Sequence, residues 1–213
     1  MLECHQFTIA YPKHTPLFPP QTFTLAAGES VALCGDSGTG KSSLLYAICG
    51  LIPRQIEAEL HGEILLAGKP PSKHTLAERT GLVGMVMQNP ETQLFCGTVE
   101  LEIAFGLENL CMPREDMQAC VREVLELVGL WARRSESPNI LSGGQKQLLA
   151  LASVLVLQPK LLLLDEALSQ LDSTACATMM AVLCELRRNG QAMLVVDHDE
   201  KRRAKLCDSE VCL

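Results

Sequence analysis

Four leucines run from Leu161 to Leu164 without a polar break and end at Asp165 and Glu166, the pattern of a strand covered on both faces, as in a parallel sheet. Val31 to Cys34 and Ala192 to Val196 repeat it. Each run stops at residues able to do chemistry: a glycine-rich stretch from Gly35, the two carboxylates, and Asp197-His198-Asp199. Elsewhere the pattern alternates. Leu2, Cys4, Phe7, Ile9 and Tyr11 are spaced as a short strand, the prolines at 12, 16, 19 and 20 interrupt it, and Thr22 to Ala27 alternates again before a Gly28-Glu29 turn. Ala58 to Leu66 predicts an antiparallel pair of short strands around His61-Gly62, Thr80 to Met87 a further strand, and Asp208 to Leu213 the start of another.

Helical spacing predicts an element from Ser42 to Gly50, closed by Gly50-Leu51-Ile52-Pro53 because proline disfavours helix in the residue before it. Thr98 to Leu107 and Arg114 to Val128 are amphipathic, the second opened by Pro113 and followed by Gly129. A helix from Ser142 to about Leu157 stops at Gln158-Pro159, and one beginning at Leu171-Asp172-Ser173 runs to about Asn189 with Gly190 as its stop. Buried strands interleaved with helices indicate an α/β fold. In doubly wound sheets ligands sit at the C-terminal edge of the strands, where these runs deliver their polar residues.

Composition narrows the class. A length of 213 residues suits one domain, and 47% hydrophobic against 20% charged residues excludes a disordered chain. The net charge of −7 argues against a phosphate-backbone footprint, so nucleic acid is not expected as a partner. Ten cysteines never form C-x-x-C, which suggests small buried hydrophobes in a reducing compartment rather than zinc or redox pairs. The N-terminus lacks a basic-then-apolar leader, and the longest apolar run, Leu148 to Leu157 with Ser153 inside it, falls short of the ~20 residues of a membrane helix. A soluble, cytoplasmic chain is expected, with any membrane role coming through a partner.

Gly35-Asp36-Ser37-Gly38-Thr39-Gly40-Lys41-Ser42-Ser43 fits G-x-x-x-x-G-K-[ST]. The glycines let successive N–H groups turn inward around phosphate oxygens while the following helix points its positive end at the same anion. Lys41 would hold the β- and γ-phosphates and Ser42 would offer its hydroxyl to Mg²⁺. A glycine-rich turn without a ligand is the competing reading. In Leu141-Ser142-Gly143-Gly144-Gln145, Ser142 and Gln145 have capping-box spacing. Two glycines are not needed for a cap and are poor helix formers, so backbone exposed for an anion is the better account. Tyr11 either packs at a strand end or stacks on a purine; Gln88 either caps a turn or reaches a metal-bound nucleotide; His198 is either surface decoration or a ligand contact.

The stretch 35–43, Gln88, Leu141–Gln145, the Asp165-Glu166 pair, Asp172 and His198 stand in the order and spacing that resembles an ATP-binding-cassette ATPase. The resemblance covers essentially the whole chain. It implies a P-loop NTPase with a RecA-like parallel sheet core, an N-terminal antiparallel β subdomain and an α-helical signature subdomain at about 89–158, within a single nucleotide-binding domain over 1–213. It further implies that Tyr11 stacks on adenine and that Gly35, Asp36, Ser37, Gly38, Thr39, Gly40, Lys41, Ser42 and Ser43 bind the phosphates. Ser42, Asp165 and Gln88 would hold Mg²⁺ directly or through water, Glu166 would polarise the attacking water, and His198 would contact the γ-phosphate. Leu141, Ser142, Gly143, Gly144 and Gln145 would address ATP held by an opposite subunit, with Asp172 crossing the dimer. Phosphoryl transfer needs positioning and charge stabilisation above all, and one subunit would supply only half of that cage. Two cassettes, identical or related, would therefore sandwich two nucleotides.

A narrower resemblance rests on Gln88-Asn89-Pro90-Glu91-Thr92-Gln93-Leu94-Phe95, Thr98-Val99-Glu100 and Ala104 to Leu110. It is similar to the ATPase subunit of energy-coupling-factor importers, which take up vitamins or cobalt and nickel ions with a membrane T component and a substrate-capturing S component. That implies a peripheral position on the inner face of the cell membrane. Gly50-Leu51-Ile52-Pro53, Gly62 and Gly68 resemble members with two cassettes fused in tandem. Three departures stand out: Ala167-Leu168 where the family has Pro-Thr, Leu148 where it has Arg, and a halt at Leu213 that leads us to expect an excised or truncated cassette. The alternatives are a nucleic-acid-associated cassette, a weakly hydrolysing regulatory subunit and the ATPase of another type of ABC transporter. Against the first, 101 positions separate Lys41 from Ser142 and carry no sustained heptads.

Overall fold

A computed structural model describes residues 1–213. Its strands are β1 (Leu2–Ala10), β2 (Gln21–Leu25), β3 (Ser30–Cys34), β4 (Glu59–Leu66), β5 (Val83–Val86), β6 (Leu161–Asp165), β7 (Ala192–Val196) and β8 (Ser209–Cys212). Its helices are α1 (Lys41–Ile48), α2 (Leu76–Leu82), α3 (Val99–Asn109), α4 (Arg114–Leu127), α5 (Gly143–Leu155), α6 (Ser173–Arg188) and α7 (Glu200–Leu206). None of them is long and apolar enough to cross a membrane.

The uninterrupted apolar runs assemble as anticipated into one parallel sheet of order β5-β6-β7-β3-β8. Alternating side chains of β6 point into different cores: Leu162 and Leu164 join the cluster under α3 to α6, while Leu161 and Leu163 join the one beneath α1 and the second sheet. This is why β6 carries no polar residue before its end. Leu163 is fully buried, so Leu163→Ala is expected to destabilise the fold by about 2–5 kcal/mol through lost transfer energy and a residual cavity, read as a lowered denaturation midpoint.

The alternating N-terminal segments form a separate antiparallel sheet, β2-β1-β4. Here the expected pair of strands around His61-Gly62 is instead the single strand β4. Its register against β1 shifts between His5 and Thr8, where Gln6 adopts φ +47°. Gly62, at φ +78°, is needed at that bulge because a Cβ would fall on the Gln6 carbonyl oxygen. The glycine therefore marks a close approach rather than a turn.

Thr80 to Met87 is likewise not all strand. Thr80 to Leu82 belong to α2, which starts at a capping box in which Thr75 Oγ1 accepts from the Glu78 backbone N–H and Glu78 Oε2 accepts from the Thr75 N–H. Only Val83 to Val86 pair with β6. The helix α7 had no counterpart in the hydrophobic pattern, since Leu206 is its one buried residue.

Candidate functional site

Four neighbouring strands of the parallel sheet, β5, β6, β7 and β3, release their chains at the same edge, and each release point carries a predicted site residue. After β3 the chain turns through Gly35, Gly38 and Gly40, all at positive φ. A Cβ on Gly35 would lie 2.9 Å from Thr39 Oγ1, and one on Gly40 would lie 3.0 Å from Leu17 and Phe18, so the loop is both strained and crowded for any other residue. Gly40 caps α1 without any side-chain bond to the first turn. The first N–H groups of that helix are left for an anion.

Lys41 is buried, and its Nζ donates to the carbonyl oxygens of Gly35 at 2.8 Å and Asp36 at 2.7 Å. The ammonium is thus held inside the loop by the loop's own backbone. Tyr11 approaches from the end of β1, its hydroxyl 2.9 Å from Ser43 Oγ. The segment that leaves the antiparallel sheet after β1 is in this way fastened beside the glycine-rich loop.

Asp165, the last residue of β6, is buried. Burial pushes its carboxyl above the usual range; the Ser42 hydroxyl pulls it down, Glu166 pushes it further up, and Lys41 again lowers it. The same four groups converge that the sequence pattern nominated. Glu166 follows at φ +48°, with its N–H donating to the Val196 carbonyl at 3.0 Å. Its carboxylate is gripped from two sides: Gln88 Nε2 donates to Oε2 at 2.9 Å and His198 Nε2 lies 3.0 Å from Oε1. Gln88 comes from beyond β5 and His198 from beyond β7, so three strand ends place an amide and an imidazole around one carboxylate.

Leu141 to Gln145 form a different kind of structure. Ser142 caps α5, with its Oγ accepting from the Gln145 N–H and Gln145 Oε1 accepting from the Ser142 N–H. The capping box therefore forms, as its spacing allowed. Arg133 Nη1 donates to the same Gln145 oxygen at 2.6 Å. Gly144 is explained by packing, because a Cβ there would sit 2.5 Å from Ala175 Cβ and 3.0 Å from Asp172 Oδ2. Asp172 in turn caps α6 through Oδ1, which accepts from the N–H groups of Thr174 and Ala175. Gly143 differs: it is exposed, and beyond its chain neighbours and the backbone of its own helix nothing lies within 4 Å of where its Cβ would be. No polar bond of Ser142, Gly143 or Gly144 reaches the loop at 35–43.

Sequence reading missed the connections between these parts. Gln147, buried one turn into α5, donates through Nε2 to the Met87 carbonyl at 2.8 Å, and Lys146 Nζ meets Glu91 Oε1 at 2.5 Å. The chain on either side of Gln88 is thereby tied to the start of α5. The only signal was the polar pair directly after Gln145, whose partners lie 60 and 55 residues away.

Comparison with known proteins fits this geometry: the family profile described as "ABC transporter" matches residues 19–169, more than two thirds of the chain. The chain belongs to the ABC transporter family. The chain is 43% identical over 173 residues to a putative ABC transporter ATP-binding protein, PH1815, of Pyrococcus horikoshii, covering 81% of the chain and 61% of that protein. It is 35% identical over 201 residues to the energy-coupling factor transporter ATP-binding protein EcfA of Methanocaldococcus jannaschii, covering 93% of the chain and 70% of that protein. Among solved structures, cbiO1 of Clostridium perfringens, described as part of the ABC transporter complex cbiONQ, superposes with a TM-score of 0.85 at 28% identity, covering 99% of the present chain and 83% of that of cbiO1. The chain therefore has the P-loop fold of cassette ATPases, and it spans less than two thirds of the length of the P. horikoshii relative.

The departures from the family pattern have a physical counterpart in this ABC domain. Ala167, Leu168 and Leu148 are all buried in the cluster under α3 to α6. Apolar packing fills those positions.

Proposed function

We propose that this chain is an ATP-hydrolysing motor subunit of a membrane importer of the energy-coupling-factor type, working as a pair of cassettes. The observation that carries the reading is the convergence on Glu166 of Gln88 and His198, beside a loop whose Lys41 ammonium and α1 N-terminus suit a triphosphate. In that role the loop from Gly35 to Ser43 binds the phosphates, Tyr11 provides the face for adenine, and Glu166 accepts a proton from the attacking water. His198 bridges Glu166 and the terminal phosphate, while Gln88 reports its presence towards the helical segment. The Ser42 hydroxyl, the Asp165 carboxylate and the Gln88 amide are hard oxygen donors, the set that Mg²⁺ takes alongside nucleotide oxygens, and a cation there would relieve the burial of Asp165. The ion would supply charge neutralisation at the phosphates.

Gly143 supports the paired arrangement. Its surroundings within one chain are open, so its lack of a side chain suits a ligand brought by another molecule, together with Ser142, Gly144 and the Leu141 to Gln145 segment around them. ATP that contacts two chains stabilises their closed state by mass action, and its hydrolysis lets them part. Residues 1–213 then act as one cassette with a helical subdomain at about 89–158, pairing with a second copy or a close relative.

The importer reading draws on the similarity to EcfA and on an exposed apolar surface. Phe95 is 67% and Phe105 44% exposed, their rings meeting edge to face at 4.8 Å. Aromatic pairs in the open are characteristic of partner surfaces, and this one lies in the segment that resembles the energy-coupling-factor proteins. A membrane T component would cover it and hold the cassette on the inner membrane face, with an S component selecting the cargo. Co-expression with such a T component is expected to bring the chain into the membrane fraction, and Phe105→Asp to release it with an unchanged melting temperature. Retention of Phe105→Asp at the wild-type level would contradict this placement of the partner.

A further inference from the structure

We propose that Arg202 is the positioning residue that aims His198 at Glu166; this rests on the catalytic reading above. His198 is itself held by little. Its side chain is 56% exposed, and its polar contact is the 3.0 Å approach of Nε2 to Glu166 Oε1. Its aim therefore depends on the backbone that carries it, and both neighbours are anchored to α7.

Asp197 has only 2% of its side chain exposed. Arg202 forks onto it, Nε donating to Oδ2 and Nη2 to Oδ1, each at 2.7 Å. The Asp199 N–H also donates to Asp197 Oδ1 at 2.8 Å, and Arg203 Nη1 donates to the Asp197 carbonyl at 3.0 Å. Asp199 closes the ring, its Oδ1 accepting from the N–H groups of Lys201 and Arg202. The carbonyl before His198 is thus held by Arg203, and the N–H after it by the Asp197 carboxylate, whose plane Arg202 sets from five residues downstream.

A buried ion pair is weak evidence for stability, because desolvating both charges offsets much of their attraction. What a forked guanidinium supplies that an apolar contact does not is orientation, as two parallel bonds fix the carboxylate's plane. Here the fixed carboxylate belongs to the residue directly before the imidazole. The alternative, that Arg202 only stabilises the end of the sheet, predicts an effect indifferent to whether His198 is present.

The test uses Arg202→Lys, which retains the charge but offers one point instead of a fork. The first readout is the ring signal of His198 in a histidine-labelled sample, recognised among the five histidines by its loss in His198→Ala. In the wild type that signal is expected to move when Glu166 is changed to Gln; in Arg202→Lys most of that response is expected to vanish. The second is turnover. Arg202→Lys should lower kcat about fivefold with KM for ATP within about twofold, and should add less than about 1.5-fold when His198 is already Ala, since both then act through one contact.

If Arg202→Lys does not fold, the charge-free pair Asp197→Asn with Arg202→Gln carries the same comparisons. A wild-type ring response in Arg202→Lys, or the same proportional loss of kcat with and without His198, overturns the proposal. A wild-type protein without ATP turnover overturns the functional reading instead, and the ring response still decides the positioning.

Discussion

Glu166→Gln is expected to lower ATP turnover by about 10²- to 10⁴-fold, the range that general-base catalysis supplies, while ATP still binds. The substitution isolates chemistry from geometry. Glu166 stands at φ +48° with its N–H bonded to the Val196 carbonyl, and neither feature depends on the side-chain charge. A glutamine in its place can still accept one bond and donate another, so the contacts of Gln88 and His198 with Oε2 and Oε1 need not be lost. What disappears is a group able to take a proton. Equilibrium binding of a fluorescent ATP analogue beside single-turnover hydrolysis separates the two effects. Equal hydrolysis rates in wild type and variant would remove Glu166 from the role assigned to it.

Gly143→Asp is the second change expected to have a large effect, at least about 100-fold on turnover, comparable to losing one donor of a preorganised charge-stabilising site. Within one chain the change should be harmless. The position is exposed with open space around it, and an aspartate in the first turn of α5 favours the helix dipole. The same carboxylate would face the γ-phosphate of a nucleotide held by another chain, and repel it. A variant with unaltered thermal stability and nucleotide binding but no turnover would separate the signature's role towards a partner from any role in its own fold. Wild-type turnover in Gly143→Asp would make the signature a helix cap and nothing more.

The strands that carry the site were legible because burial on both faces leaves an unbroken apolar run, as in Leu161 to Leu164, and because the run must end where the chemistry begins. The glycine-rich loop was legible for a related reason: Gly35 and Gly40 are demanded by positive φ and by close neighbours, so the spacing of the motif is the shape of the loop. Short-range sequence patterns gave less where tertiary pairing decided the outcome. His61-Gly62 looked like a hairpin turn but is a bulge over Gln6, a contact between residues 56 apart in the chain. The Thr75 to Glu78 capping box was present to be read, and would have moved Thr80 to Leu82 from strand to helix.

The connections within the site were hidden for a stronger reason. Lys146 with Glu91 and Gln147 with Met87 become neighbours only once α5 lies across the end of β5. α7 has the sequence EKRRAKL and buries Leu206 alone, so no apolar stripe announced it. With α7 unread, Arg202 could not be paired with Asp197.

If hydrolysis needs two chains, each completing the other's site, two differently defective chains should restore one another. Equal amounts of Lys41→Ala and Gly143→Asp chains, each inactive alone, should be mixed and assayed for ATP turnover. In a symmetric pair half of the dimers formed would be mixed, and each of these would join the intact loop of one chain to the intact signature of the other at one of its two sites. Recovery of about a quarter of the wild-type rate is expected; a mixture as inactive as its components would contradict a site shared between two chains.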